Sequence, residues 1–129
     1  MTSGANTAPR PRVLLADDYP GMVKAVTRLL ALDCDVVGSV ADGSALLEAV
    51  ERLQPDVLVL DVNLPKIHGL EACRRVIRDH PNVKVVVFTA TIDPEVRQHF
   101  LQAGASAFVS KTGVEDLLSA IKRVTIDTR

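Results

Sequence analysis

Five short apolar runs alternate with amphipathic segments along this chain, and this alternation constrains the fold more than any other feature. Several runs are apolar at consecutive positions, which is typical of strands covered on both faces of a parallel sheet. Right-handed crossovers then place the intervening helices on both faces of the sheet. The predicted strands are residues 13–16, 36–40, 57–60, 83–88 and 107–109.

Five successive strand and helix units favour an α/β fold of the flavodoxin-like (βα)5 type, a three-layer sandwich. The parallel five-stranded sheet is expected to have the order 2-1-3-4-5. We expect residues 1–11 to be a disordered lead-in, residues 12–125 to form one domain, and residues 126–129 to be a short tail.

Composition excludes several classes of protein. The formal net charge of −1 lacks the basic excess of a dedicated nucleic-acid binder, and no apolar stretch is long enough to span a membrane. The first residues lack the apolar region of a secretory signal, which predicts a cytoplasmic protein. Cys34 and Cys73 stand apart from each other and from histidine, so we predict buried thiols in a reducing compartment.

Polar side chains directly follow four of the predicted strands. Asp17 and Asp18 follow the first strand, Asp61 the third, Thr89 the fourth and Lys111 the fifth. Because ligands of open α/β sheets bind outside the carboxyl ends of the strands, we expect these side chains to form one site. Taken singly, each has an ordinary structural explanation, such as a helix cap, but all of them fall on the same edge.

The side chains at this edge define its chemistry. Clustered carboxylates require a cation or a proton, because two unit charges about 4 Å apart repel by about 4 kcal/mol at an effective dielectric near 20. Ligands that are all oxygen favour a hard cation, Mg²⁺ or Mn²⁺. Lys111 and the Thr89 hydroxyl are donors suited to a phosphoryl group, and an aspartate can act as its nucleophilic acceptor.

This arrangement resembles the receiver (CheY-like) domain of two-component response regulators over about residues 12–125. The resemblance implies that Asp61 is the phosphoacceptor. It also implies that Asp18 binds Mg²⁺ directly, that Asp17 assists through water, and that the backbone carbonyl of Asn63 is a further ligand. Mn²⁺ is the alternative metal. Leu64-Pro65 and Gly69 match the loop that follows the acceptor in this family.

The same resemblance assigns roles around the phosphoryl group. Thr89 and Lys111 would contact its oxygens, and Thr89 with Phe108 would form the switch. Asn63 and Thr91 lie where the family tunes the lifetime of the phosphate. Phe108 stands where tyrosine is commoner, so switching would depend on burial rather than on a hydroxyl contact. An ordinary core aromatic remains the alternative for Phe108.

The implied partners are a sensor histidine kinase as donor and a second copy of the chain, through the surface of the fourth helix, fifth strand and fifth helix. The resemblance is strongest to receivers attached to LuxR-type helix-turn-helix output domains, through the segment ADDYP and residues 103–106. DNA would be reached only through such an output domain. The chain would not be a turnover enzyme, apart from self-catalysed phosphoryl transfer and autodephosphorylation.

One departure from the family concerns the bond after the lysine. Lys111 precedes Thr112 where many members have a proline joined by a cis bond. A cis bond before a residue other than proline costs about 2.5–4 kcal/mol, so we expect this one to be trans.

Three other functions are consistent with parts of this pattern. A haloacid-dehalogenase-like phosphatase would need a second aspartate where the chain has Asn63. A flavin-binding flavodoxin would need a phosphate-binding loop where the chain has Asp17 and Asp18. A degenerate receiver acting only as an interaction module is the remaining alternative, although all the site positions are filled.

Overall fold

A computed structural model of the chain describes residues 10–90 and 93–126. Within them, five parallel strands form one sheet with the order β2-β1-β3-β4-β5, which confirms the predicted topology. The strands agree with the sequence prediction to within one residue at every end. They are β1 (Arg12–Ala16), β2 (Asp35–Val40), β3 (Val57–Leu60), β4 (Lys84–Thr89) and β5 (Ala107–Ser110).

Helices connect and cover the strands, and local sequence signals set most of their ends. Pro20 opens the first helix, and the Asp42 carboxylate caps the second by accepting the Ala45 N–H at 2.8 Å. Gly104, at φ +109°, lies just after the end of the fourth helix, where a left-handed residue that ends a helix is usually glycine. The helices are α1 (Pro20–Leu30), α2 (Gly43–Leu53), α3 (Gly69–Asp79), α4 (Pro94–Gln102) and α5 (Val114–Ile126). None of the helices in the described residues is long and apolar enough to span a membrane.

The sequence of residues 112–115, Thr-Gly-Val-Glu, predicts a capping box with Thr112 as the cap of α5, and this prediction is wrong. The helix begins at Val114, so Gly113 rather than Thr112 occupies the capping position. The Thr112 hydroxyl instead lies 2.9 Å from the hydroxyl of Ser110. A turn of local hydrogen bonds, including the Thr112 N–H donating to Ser110 Oγ, therefore competes with the box for this threonine.

Alternate side chains of the strands enter two separate cores, one on each face of the sheet. The core beneath α2, α3 and α4 contains Leu14, Leu60 and Val87, and the core beneath α1 and α5 contains Leu15, Val59 and Phe88. Continuing this alternation beyond the strands places Asp17 and Asp61 on the α1 side and Thr89 on the α4 side.

Two arginines, Arg10 and Arg12, lie at the amino end of β1, opposite to the carboxyl ends of the strands. Arg10 donates to the carbonyls of Leu32 and Cys34, just beyond α1, and Arg12 donates to those of Leu53 and Gln54, at the end of α2. The last carbonyls of a helix lack intrahelical partners, and Arg12 supplies them at the end of α2, while Arg10 binds the turn that follows α1. Arg10 lies in residues 1–11, the expected lead-in, yet its side chain contacts residues of the domain.

Both cysteines are free and buried, as predicted. Burial raises the pKa of Cys73 to about 11. The thiolate is the reactive form, so we expect iodoacetamide to leave both cysteines unmodified in the folded protein at about pH 8. Intact-mass measurement should show two alkyl groups only after unfolding in guanidinium. Rapid alkylation of Cys73 in the folded protein would contradict this expectation.

Candidate functional site

Neighbouring strands β1 and β3 bring the predicted carboxylates together. Their register pairs Ala16 with Leu60, so the next residues, Asp17 and Asp61, lie side by side. The Asp61 N–H donates to the Ala16 carbonyl at 2.9 Å and extends this pairing beyond the strands. Asp17, Asp18 and Asp61 each present an oxygen atom, and these atoms lie within 4.8 Å of one another. We call these three residues the carboxylate cluster.

The carboxylate cluster combines burial with like charge. Asp17 and Asp61 are only 9% and 7% exposed, whereas Asp18 is exposed. An apolar floor lies beneath them, formed by residues of the α1-side core that include Leu15 and Phe88. Buried like charges strongly disfavour each other, so this arrangement needs a compensating cation or a bound proton. The ligands of the cluster are all oxygen, and such a set fits Mg²⁺ or Mn²⁺ better than zinc.

Lys111 supplies part of that compensation. Its Nζ lies 2.6 Å from Asp17 Oδ2 and 3.2 Å from Asp61 Oδ2. Its backbone N–H donates to the Thr89 carbonyl at 2.9 Å, which anchors the residue to the end of β4. The described residues contain no cis peptide bond, so the bond from Lys111 to Thr112 is trans, as expected. Burial would lower the pKa of Lys111, but the hydrogen bond to Asp17 and the charge of Asp61 outweigh burial and raise it.

The raised pKa of Lys111 has a consequence for stability against pH. A group whose pKa is higher in the folded state stabilises fully below its unfolded pKa, here about 10.4, and loses that contribution as the pH rises through the folded value. The wild type should therefore be more stable than Lys111→Met by an amount that is constant up to about pH 10 and shrinks above it. Urea unfolding from neutral to alkaline pH measures this difference. A difference that grows above pH 10 would contradict it.

Thr89 is fully buried at the end of β4. Its hydroxyl finds no hydrogen-bond partner among residues 10–90 and 93–126, which is unusual for a buried polar atom. Register pairs Val87 with Phe108 and Thr89 with Ser110, so the side chains of Thr89 and Phe108 lie on the same face of the sheet. Phe108 is half-buried, with its ring centroid 6.3 Å from that of Phe100 in α4.

The acceptor loop, residues 61–68, leads from β3 to α3 and carries Asn63. The Asn63 N–H points to Asp61 Oδ1 at 3.5 Å, and its side chain is exposed beside the cluster. Thr91, the other residue assigned to phosphate lifetime, lies outside the described residues. The structure thus brings Asn63, Thr89 and Lys111 to the same edge as the carboxylate cluster.

Sequence reasoning missed the contact between the acceptor loop and the start of α2. A Cβ on Gly43 would lie 2.5 Å from the Cβ of Ile67, and a Cβ on Gly69 would overlap the carbonyl oxygen of Val62. The loop is therefore held closely at two glycines. The signal in the sequence was the Asp42-Gly43 pair, where glycine stands in the first turn of a helix without serving as a cap.

Comparison with known proteins identifies the family. The family described as "Response regulator receiver domain" matches residues 13–122. The chain belongs to this family. The response regulator GacA of Pseudomonas viridiflava is 39% identical over 117 residues, which cover 88% of the chain and 54% of GacA. The transcriptional regulatory protein DegU of Brevibacillus brevis is 36% identical over 116 residues, which cover 88% of the chain and 49% of DegU.

Solved structures agree with this assignment. A LuxR-family two-component response regulator from Aurantimonas sp. SI85-9A1 superposes with a TM-score of 0.87 at 27% identity, covering 94% of this chain and 89% of that one. A LuxR-family DNA-binding response regulator from Staphylococcus aureus gives 0.83 at 25% identity, with 88% and 98% covered. The chain spans about half the length of the curated relatives, and that half is a receiver domain.

Proposed function

We propose that this receiver domain accepts a phosphoryl group on Asp61 from a sensor histidine kinase and passes the signal to an output domain or a partner protein. The observation that carries the proposal is the carboxylate cluster, with oxygens within 4.8 Å of one another and Lys111 Nζ 2.6 Å from Asp17. The Thr89 hydroxyl, which has no partner among residues 10–90 and 93–126, supports it, because a phosphoryl oxygen would be an acceptor for this donor.

The carboxylate cluster and the backbone carbonyl of Asn63 would hold the metal, Mg²⁺ or Mn²⁺. The metal supplies charge neutralisation, which allows an anionic phosphoryl group to approach an anionic carboxylate. Asp17 is held in place by its contact with Lys111 and by accepting the Tyr19 N–H at 2.9 Å. Asp18 is exposed, and one of its carboxylate oxygens already lies within 4.8 Å of those of Asp17 and Asp61.

In the transfer step, a carboxylate oxygen of Asp61 forms the bond to phosphorus while the bond from phosphorus to the donor's imidazole nitrogen breaks. Lys111 reaches Asp61 Oδ2 at 3.2 Å, so a small movement brings its ammonium onto a phosphoryl oxygen. The charge of Lys111 and the fixed position of Asp61 at the end of β3 lower the barrier by electrostatics and by orientation.

The aspartyl phosphate adds negative charge and new acceptor oxygens at the strand ends. Thr89 would turn toward them and vacate space on the α4 side, into which Phe108 moves. This population shift alters the surface formed by α4, β5 and α5, where a second copy of the chain or an output domain would dock. Asn63 and Thr91 would set the lifetime of the phosphate.

The wider assignments follow from the same site. Residues 12–125 would act as the receiver unit, in the cytoplasm, with self-catalysed transfer and autodephosphorylation rather than turnover of a substrate. Two relatives are named as a transcriptional regulatory protein and a DNA-binding response regulator. We therefore propose transcription as the controlled process, with DNA contacted by an output domain and not by this one.

Removing the metal tests the proposed function directly. Acetyl phosphate should add about 80 Da, one phosphoryl group, to the wild type in the presence of Mg²⁺ and not after chelation with EDTA. Intact-mass measurement detects the adduct, and its loss in base with survival in acid identifies an acyl phosphate. A wild type that forms no adduct with Mg²⁺ present would overturn the proposal and favour a degenerate receiver.

A further inference from the structure

The first turn of α2 packs against the acceptor loop at Pro65 and Ile67. We propose that Asp42 and Gly43 are positioning residues for this loop, and that they hold Asn63 and Asp61 where the cation and the phosphoryl group are bound. The inference depends on the proposed function, since it concerns the same site. Nothing in the family comparison assigns a role to these two residues.

One backbone carbonyl joins the two elements. The Pro65 carbonyl accepts the Gly43 N–H at 3.1 Å and the Ile67 N–H at 3.0 Å. The Gly43 N–H is one of the first-turn donors that have no partner within their own helix. The start of α2 thus uses a free backbone donor to fix the middle of the acceptor loop.

Steric contact enforces the same arrangement. A Cβ on Gly43 would lie 2.5 Å from the Cβ and 2.6 Å from the carbonyl oxygen of Ile67. Real Cβ atoms do not approach other atoms this closely, so any larger residue would push the loop away from α2. Lys66 lies between the contacts at Pro65 and Ile67. Its backbone has φ 71°, a left-handed conformation that residues other than glycine rarely adopt.

The charged side chains add a third contact. Lys66 Nζ lies 3.5 Å from Asp42 Oδ2, while the Asp42 carboxylate also caps α2 through the Ala45 N–H. Lys66 is well exposed, so this ion pair contributes little by itself. The ion pair instead orients the loop, because it places Lys66 over the first turn of α2, which Asp42 caps.

A displacement at Ile67 has a defined route to the site. The loop cannot move closer to α3 at Val62, because a Cβ on Gly69 would already lie 2.4 Å from the Val62 carbonyl oxygen. A push at Ile67 must therefore be absorbed by residues 63–66, between the two fixed points. This segment begins with Asn63, whose backbone carbonyl is the proposed ligand of the cation.

Gly43→Ala is the direct test, with Ser44→Ala as the matched control in the same turn, where the side chain is exposed. Gly43→Ala should slow formation of the Asp61 adduct about tenfold and raise the Mg²⁺ concentration for half-maximal rate, since small misplacements of reacting groups have large effects. The control should match the wild type. Amide hydrogen exchange at residues 63–67 should be faster in Gly43→Ala, with exchange in the strands unchanged.

The outcomes separate the two proposals. If the wild type forms the adduct and both variants match it in rate and Mg²⁺ dependence, the positioning role is wrong and the proposed function stands. If the wild type forms no adduct, the proposed function fails and the positioning role fails with it.

A second measurement, made on the wild type alone, tests the positioning role even if Gly43→Ala does not fold. In the wild type, Mg²⁺ with beryllofluoride, a phosphoryl mimic, should slow exchange of the Gly43 amide, because coupling between two sites is reciprocal. An unchanged exchange rate at Gly43 would overturn the positioning role.

Discussion

Asp61→Asn is expected to abolish the Mg²⁺-dependent phosphoryl adduct and to leave the protein folded. The amide has the shape of the carboxylate but is far less nucleophilic and carries no charge for the cation. Folding should survive, because the change removes one of two buried like charges and keeps the ion pair of Lys111 with Asp17 at 2.6 Å. We expect the free energy of unfolding to change by no more than about 1 kcal/mol. Intact mass after acetyl phosphate and urea unfolding measure the two quantities.

Asp18→Asn is the control for this experiment. It also removes a charge from the carboxylate cluster but leaves the acceptor in place, so the adduct should still form at a higher Mg²⁺ concentration. An adduct of equal yield on the Asp61→Asn variant would show that another residue accepts the phosphoryl group, and it would remove Asp61 from the mechanism.

Thr89→Val should change stability in opposite directions in the two states of the site. Without a ligand, the Thr89 hydroxyl is buried and has no partner among the described residues. An unsatisfied buried hydroxyl costs about 1–3 kcal/mol, so a valine of the same shape should raise the free energy of unfolding by about 1 kcal/mol. With Mg²⁺ and beryllofluoride bound, the same variant lacks a hydrogen bond to a charged group. The stabilisation gained on binding should then be about 1.5–3 kcal/mol smaller than in the wild type.

Urea unfolding with and without Mg²⁺ and beryllofluoride measures both effects. Thr89→Ser keeps the hydroxyl and serves as the control, so it should preserve most of the stabilisation by the mimic. The hydroxyl has no role at the site if Thr89→Val destabilises the free protein and if beryllofluoride stabilises this variant as much as it stabilises the wild type.

The sequence was sufficient for the parts of the fold that depend on pattern and periodicity. Consecutive apolar residues in the strands identified a parallel sheet, and the sheet order determined which strand ends meet. The polar residues that follow those strands, such as Asp17 and Lys111, were therefore predicted to converge, and they lie within ion-pair distance. Strand ends are reliable markers in this fold because topology alone decides where they point.

Features that depend on exact distances were not accessible from the sequence. The pattern at Thr112 matched a capping box, but the Ser110 hydroxyl competes for the same groups. The pattern at Asp42-Gly43 predicted a helix start and could not reveal that the glycine is required by a neighbouring loop. That the Thr89 hydroxyl has no partner among the described residues likewise depends on its surroundings and not on its identity.

The site lies at the carboxyl ends of the strands, between the two separate cores on opposite faces of the sheet. Asp61 continues the strand face that packs on α1 and α5, whereas Thr89 continues the face that packs on α4. A phosphoryl group bonded to Asp61 and hydrogen-bonded to Thr89 would link the two layers at the carboxyl ends of the strands. The sheet separates the two layers elsewhere, so the carboxyl ends of the strands are where a single small group can contact both at once.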